Sequence, residues 1–293
     1  MIENKTNLSP INIPPFVLND LLLKKHNVVS KIFLIVKGKI LSFVTNNFEG
    51  NFFCKIINFF YKKNGKIYFD DPEYFKKINN NKFYYPNKRI LRIVNNQDLL
   101  IKNIRASYCL DEIDFNNNDV IIDCGANVGE LNLAIEAYGK KINYFGFEPD
   151  EATFKCLSKN NPDNNNLFNK ALSNKNEKNK FFLDTAGGNS SLVYFGKDNF
   201  IEIDCVRLDT IDIPEKIKLF KVEAEGFEPE VLYGAEKKLN NIEYISVDFG
   251  SERGMDQKNT VIEVNSFLLS NNFKLYKFSN HRTVGLYKKD SLE

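Results

Sequence analysis

Residues 119–139, DVIIDCGANVGELNLAIEAYG, constrain this chain more than any other stretch. They run from a short apolar segment, through a turn punctuated by glycine, into a helical pattern. Val120, Ile121 and Ile122 form a continuous apolar run, as expected of a strand buried on both faces of a parallel sheet. Gly125 and Gly129 let the backbone turn sharply and approach a ligand closely. Leu131, Ala134, Ile135 and Tyr138 recur at helical spacing, and Gly139 stands where the helix should end. Strand, glycine turn and helix N-terminus, in that order, build the nucleotide pocket of an open α/β sheet.

The spacing of the glycines says which nucleotide. A dinucleotide loop reads G-x-G-x-x-G, so that the backbone can meet a pyrophosphate. Here the three positions hold Gly125, Asn127 and Glu130. Glu130 also places a carboxylate in the first helical turn, where a pyrophosphate wants positive potential. S-adenosylmethionine (SAM) carries no phosphate, and its ammonium and sulfonium tolerate carboxylates. Asp123, just before the turn, suits the ammonium. Residues 142–147 read as a second strand ending in Glu148, about 20 residues beyond the glycines, where an acidic side chain can hold both ribose hydroxyls. The pattern favours SAM over NAD. An NAD-dependent sugar oxidoreductase is the runner-up, and a module that binds SAM without turnover is a third reading.

Length and composition narrow the class. The 293 residues hold one large domain with an extension, or two small ones. A hydrophobic share of 43% and a charged share of 27% fit a soluble globular protein. The five cysteines (54, 109, 124, 156 and 205) are scattered and form no C-x-x-C pair, which points to a reducing, cytoplasmic setting without a disulfide framework. The only histidines, His26 and His281, lie far apart, so no zinc site is expected. No apolar run is long enough to span a membrane, and the N-terminus lacks a basic region followed by an apolar core.

Charge is unevenly placed. Residues 1–90 hold 15 Lys and Arg against 6 Asp and Glu, and the remainder holds 25 against 32. The proline-bearing residues 1–20 read as irregular, with Pro10, Pro14 and Pro15. Beyond them, residues 21–63 alternate apolar clusters with lysines, mostly at helical spacing. Two readings stay open for this basic segment. It is a helical layer packed on the main domain, which the general behaviour of apolar helical faces favours. Alternatively it is an amphipathic surface meeting an anionic membrane at its inner face, or docking a lipid-linked substrate. A nucleic-acid partner is not expected, since no recognition helix or RNP-like motif accompanies the charge. The sequence assigns no oligomeric state.

The domain division follows: a basic, mainly helical extension over residues 1–80, and a SAM-binding domain over 81–293. Residues 81–95 read as a hairpin around Pro86-Asn87. Residues 96–112 read as a helix that could cover the pocket. From 119 onward strands and helices alternate. Helix 151–160 is followed by a third strand through 167–172, then antiparallel strands at 180–183 and 201–206 around a Gly187-Gly188-Asn189-Ser190-Ser191 loop. Strand 217–222, helix 228–239, strand 242–248 and helix 260–270 come next, and a hairpin of 273–278 with 283–287 closes the chain. The fold class expected is α/β, a Rossmann-like, mostly parallel sheet with a C-terminal antiparallel hairpin.

Ligands in such sheets bind beyond the carboxyl ends of the strands. Those ends carry Asp123, Glu148, Asn169, Glu223 with Glu225, and Asp248. Methyl transfer needs the acceptor oxygen, methyl and sulfur in line, and a sugar hydroxyl needs a base to take its proton. On an extended segment residues 221, 223 and 225 share a face, so Glu223 and Glu225 can form a paired-carboxylate site beside Lys221. Either Glu is the candidate base, and Asp248 joins them as a catalytic candidate. A structural ion pair of Lys221 with one Glu is the plainer alternative. Mg²⁺ between the two carboxylates would have a thin ligand set and is not expected.

Across 119–250 the chain resembles the FkbM family of SAM-dependent methyltransferases. The matching pieces are DVIIDCGANVG (119–129), FGFEPD (145–150), FNKALSN (168–174), NSSL (189–192), VRLDTI (206–211) and KVEAEGFEPEVLYGA (221–235). ISVDFGSERG (245–254) is similar to a tail found in part of the family. The resemblance implies O-methylation, often of sugar hydroxyls in polysaccharides, glycolipids or glycosylated natural products. It implies that Asp123, Gly125, Ala126, Asn127, Gly129 and Glu148 bind SAM, with 169–171, including Asn169 and Ala171, beside the adenine. Ser190 and Ser191 would line the cleft. The family pattern K-x-D-x-E-G is met here with Glu223 in place of the Asp, which carries the carboxylate one methylene further out.

Overall fold

The computed structural model describes residues 27–61, 65–78, 81–94, 97–184 and 190–290. The irregular segment expected at 1–20 and Gly187-Gly188-Asn189 lie outside them. The chain divides into two compact units, Met1–Gln97 and Asp98–Glu293.

In the first unit, α1 (Val28–Asn47) begins where the Asn27 side chain accepts from the Ser30 N–H, and α2 (Gly50–Phe60) follows. Strands β1 (Ile67–Asp70), β2 (Glu73–Ile78) and β3 (Asn81–Tyr85) form an antiparallel sheet in that order. Asn58 of α2 ties helix to sheet, donating to Ile67 O and accepting from Ile67 N, both at 2.8 Å. Leu41, Phe53, Ile57, Ile67, Ile90 and Ile93 of this unit are fully buried. Among the described residues of 1–80, helix covers Val28–Asn47 and Gly50–Phe60, and strands follow. The hairpin expected at 81–95 is displaced as well: β3 pairs backward with β2, and Pro86 leads into a 3₁₀ turn (Lys88–Ile90) and a short helix, α3 (Leu91–Val94). The reason is local. Asn87 caps the turn by accepting from Arg89 N, and Ile90, Ile93 and Val94 are buried at helical spacing.

The second unit opens with α4 (Gln97–Ser107) and is built on a seven-stranded sheet. Its strands are β4 (Val120–Cys124), β5 (Asn143–Phe147), β6 (Leu167–Phe168), β10 (Ile217–Val222), β11 (Ile242–Asp248), β12 (Phe273–Phe278) and β13 (Val284–Lys289). They lie in the order β12-β13-β11-β10-β4-β5-β6, and β13 alone runs antiparallel to the rest. The order reverses between β4 and β10, which makes the carboxyl ends of these two strands the switch point where such sheets bind ligands. This is a Rossmann-like α/β sheet. Helices α5 (Glu130–Glu136), α6 (Glu151–Asn160), α7 (Glu228–Tyr233) and α8 (Val261–Ser270) connect the strands. All five residues of β4 are buried, as the apolar run requires, and Ile122, Phe147, Phe220, Leu232 and Val247 are among those that pack the core around it.

Two expected elements are broken. The third strand splits: β6 stays in the main sheet, while β7 (Ala171–Leu172) crosses to a small sheet ordered β7-β9-β8, with β8 (Glu177–Phe182) and β9 (Phe200–Val206). The helix expected over 228–239 stops at Tyr233, because its last carbonyls leave the ladder. Tyr233 O accepts from the Arg207 guanidinium at 3.2 Å and Gly234 O from Asp209 N at 3.0 Å, and a 3₁₀ turn (Glu236–Asn241) follows.

Candidate active site

The turn after β4 is closed by its own backbone. Gly125 N and Ala126 N both donate to Phe147 O, at 3.1 and 2.9 Å, and Gly129 N donates to Ala126 O at 2.9 Å. Asn127 N donates to Glu148 Oε2 at 2.9 Å, while the Asn127 side chain accepts from Val128 N at 2.9 Å. Every N–H from 125 to 129 is thus spent on the protein. A pyrophosphate needs such N–H groups free, and Glu130 is buried in the first turn of α5 besides. The donor set therefore fits a cationic, phosphate-free ligand such as SAM and does not fit a dinucleotide.

Gly125 has φ +71°, the left-handed backbone of a sharp turn, and a Cβ there would lie 2.3 Å from the carbonyl oxygen of Glu223, in the backbone after β10.

Glu148 ends β5 and links the turn to the next helix. Its second oxygen accepts from Asp150 N at 3.0 Å, and Asn169 donates to the carbonyls of Glu148 and Pro149 at 2.9 and 3.0 Å. Burial pushes the Glu148 carboxyl up to about 7, against the pull of the two N–H groups. Asn127, Glu148 and Asn169 are thereby joined in one network. Ala171 is not brought to it: it is buried in the core of the small sheet with Phe181, Ile203 and Cys205.

At the neighbouring strand end, Lys221 of β10 is 2% exposed. Its Nζ lies 3.0 Å from Asp123 Oδ1 and 3.1 Å from Glu223 Oε2, and donates to Cys124 O and Gly125 O at 2.9 and 2.8 Å. Tyr144 OH donates to the other Asp123 oxygen at 2.6 Å. Burial opposes the Lys221 charge, but Asp123 and Glu223 outweigh it and hold the ammonium well above the ordinary lysine range. Asp123 is only 1% exposed; Oδ2 accepts from Tyr144 and Oδ1, which makes no hydrogen bond, faces the Lys221 ammonium, so it is the counter-ion of Lys221 rather than an exposed acceptor for a ligand ammonium. That corrects the role assigned from its position.

Glu223 is held from three sides. Besides Lys221, Tyr108 OH donates to Oε2, and Arg282 Nη1 lies 2.7 Å from Oε1. Arg282 Nη2 lies 2.5 Å from Asp248 Oδ2, so the guanidinium bridges the ends of β10 and β11. Burial would raise the Glu223 carboxyl, yet Lys221 and Arg282 hold it well below the usual carboxylate range. Such a group is a weak base. Asp248 is pushed up to about 6 by burial, with Arg282 pulling it down. Its Oδ1 accepts from Gly250 N at 3.1 Å.

The extended alternation predicted for 221, 223 and 225 holds for the first pair and then ends. Glu225 has φ +50°, and the chain turns there. Glu228, 1% exposed at the start of α7, drives the turn by accepting from Ala224 N (3.1 Å), Gly226 N (3.0 Å) and Thr260 Oγ1 (3.0 Å). Ser191 Oγ donates to Glu225 O at 2.8 Å, so this serine supports the turn. Glu225 is left with Oε2 buried and without a hydrogen-bond partner among the described residues. Burial pushes its carboxyl up to about 9, with the charges of Glu223 and Glu252 adding to the effect. Among the described residues no group of three or more His, Cys, Asp and Glu side chains could hold a metal ion.

Tyr108, Tyr144, Glu228 and Arg282 escaped the sequence reading. Tyr108 follows α4, and Arg282 precedes β13, so no strand-end argument reaches either. Glu228 sits in the first turn of α7, but its oxygens accept from N–H groups ahead of the helix, Ala224 and Gly226, so no capping pattern marks it.

The family model described as the methyltransferase FkbM domain matches residues 123–275. No curated protein sequence matches the chain. Among solved structures, the FkbM methyltransferase from Methylobacillus flagellatus KT is similar over 68% of this chain and 53% of its own, at 14% identity and a TM-score of 0.44. The chain thus spans about half the length of that protein. A SAM-dependent methyltransferase from Aquifex aeolicus is similar over 66% of this chain and 97% of its own, at 14% identity and a TM-score of 0.39. For TYW2 from M. jannaschii, solved in complex with AdoMet, the figures are 77%, 90%, 12% and 0.37.

Proposed function

The chain belongs to the FkbM family of SAM-dependent methyltransferases, and from that premise we propose that it methylates a hydroxyl of a sugar in a glycan, glycolipid or nucleotide-linked sugar. The observation that carries this reading is the division of labour among the carboxyls beyond β10 and β11. Glu223 is locked by Lys221, Tyr108 and Arg282. Asp248 is tied to Arg282 and Gly250. Glu225 Oε2 and Asp248 Oδ2 are both buried without a hydrogen bond among the described residues, but Asp248 Oδ2 is ion-paired with Arg282, whereas no cation stands against Glu225 Oε2 there.

SAM, when bound, supplies a methyl group on a positively charged sulfur. Glu148 and Asn127 would hold its ribose side, and Asn169 would stand beside the base. Burial, together with the charges of Glu223 and Glu252, favours the protonated form of Glu225 before a ligand enters. A positive charge brought into the crevice favours its ionised form. Glu225 would then take the hydroxyl proton as the oxygen–methyl bond forms and the methyl–sulfur bond breaks, S-adenosylhomocysteine being the leaving group, and general-base help of this kind contributes about 10²–10⁴ in rate. Asp248 and Arg282 orient the acceptor: a carboxylate and a guanidinium offer acceptors and donors matched to the vicinal hydroxyls of a sugar. The reading carries a cytoplasmic setting, which the five cysteines, all without disulfides, support.

The test is transfer of isotopically labelled methyl from SAM to a panel of nucleotide sugars and glycan fragments, followed by mass spectrometry of the product. A methyl ether on a sugar is expected, with Glu225→Gln losing about 10²-fold or more in kcat while SAM affinity stays within about threefold. Label on nitrogen or carboxylate acceptors only, or a fully active Glu225→Gln, would overturn the reading. A chain that binds SAM but methylates nothing in any panel would favour a binding module.

A further inference from the structure

Helix α1 is apolar on two sides but packed on one. Gly38, Leu41 and Val44 are buried. Val28, Ile32, Phe33, Val36, Ile40 and Phe43 face outward, each at least 43% exposed. At about 100° per residue these six fall within an arc of roughly 140°. The surface continues onto α2 through ring contacts of Phe48 with Phe43 (6.0 Å) and Phe52 (4.9 Å), and Phe52 and Phe59 are themselves exposed. Monomeric soluble proteins rarely leave so continuous an apolar face uncovered.

The charges on the two helices themselves are of one sign, and Glu49 between them is paired with Lys88 at 3.3 Å. No Asp or Glu occurs between Asp20 and Glu49, while Lys31, Lys37 and Lys39 lie on α1 and Lys55 on α2. Lys39 is exposed and its position falls inside the apolar arc. From these features we infer that the outer face of α1, continued by Phe52, docks on an anionic lipid bilayer, with the helix lying in the interface plane. No helix of the described residues is long and apolar enough to cross a membrane, so the helix lies on the bilayer rather than through it. At an interface the Lys39 stem covers apolar surface while its ammonium reaches lipid phosphates. A second copy of the chain fits this face less well. Two acid-free helices would bring lysines together without counter-ions, and Lys39 would be desolvated between them.

Co-sedimentation of the full chain with vesicles tests the assignment. Vesicles of phosphatidylcholine mixed with phosphatidylglycerol should bind at least about tenfold more protein than phosphatidylcholine alone, and high salt should erase the difference. The double variant Ile32→Ser, Phe33→Ser should lose about tenfold in vesicle binding. Its circular dichroism and melting curve should match the parent, because both side chains are exposed. Failure of the parent to sediment with anionic vesicles would overturn the inference, and so would a variant that binds as well as the parent. A concentration-dependent dimer in light scattering, lost in the variant and accompanied by no vesicle binding, would assign the face to a second copy instead.

Discussion

Replacing Lys221 by Met probes the buried charge cluster that joins β4 to β10. The substitution keeps the side-chain volume and removes an ammonium that serves Asp123 at 3.0 Å, Glu223 at 3.1 Å and two carbonyls. Breaking a buried ion pair from one side costs about 3–5 kcal/mol, because the remaining charge has no compensation. Glu223 would retain Arg282 and Tyr108, so the orphan is Asp123 alone. The expected loss is therefore at the low end, about 3 kcal/mol, or a fall in Tm of about 6–12 °C for a unit of this size. The sign with pH follows from Asp123. Burial already raises its carboxyl above the ordinary value, and Lys221 is the main influence lowering it. In the variant the folded protein keeps a proton that the unfolded chain releases from about pH 4 upward. The gap between variant and parent should widen as the pH rises from about 4 through the raised value, at no more than about 1.4 kcal/mol per pH unit. Urea unfolding followed by circular dichroism at pH 5 and pH 8 measures it. Adding Asp123→Asn should return the protein to within about 1 kcal/mol of the parent, since a neutral amide carries no orphan charge. A Lys221→Met protein within about 1 kcal/mol of the parent at pH 8, or no recovery with Asp123→Asn, would refute the account of the cluster.

Two further outcomes follow from the turn after β4. Gly125→Ala should lose roughly 3 kcal/mol or more, combining left-handed backbone strain with a Cβ 2.3 Å from a carbonyl oxygen; an unchanged melting temperature would show that the strands are not held so close. Titration calorimetry with SAM should show affinity rising as the pH climbs through about 7, where the Glu148 carboxyl ionises and gains acceptor capacity for two ribose hydroxyls. Glu148→Gln should flatten that profile and weaken binding by roughly tenfold, about 1.4 kcal/mol, and an unaltered profile would remove Glu148 from the donor site.

What could be read from the chain alone was the part built from local periodicity. The buried run of β4, its glycine turn, the acidic end of β5 and the Lys221–Glu223 pairing all lie within short stretches whose spacing fixes their geometry. The failures have one physical cause, which is that long-range partners override local pattern. Glu225 left the face of Lys221 and Glu223 because Glu228 captures the N–H groups of Ala224 and Gly226. The third strand split because Ala171 and Leu172 pair with Cys205 and Val206 instead of continuing β6. Asp123 faced inward because Tyr144 and Lys221 claim it from neighbouring strands. Tyr108 and Arg282 contribute single side chains from positions that have no motif of their own, and only the folded sheet brings them to Glu223.

The bridge made by Arg282 has a consequence for synthesis on the ribosome. Glu223 and Asp248 emerge early, on strands that can already pair, yet their shared guanidinium arrives with the turn before the final strand. Until then a nascent chain holds two carboxylates at adjacent strand ends with Lys221 as their nearest cation. Completion of the crevice thus waits for β13, and a product cut short before that turn would lack the guanidinium and also the strand that joins β12 to β11.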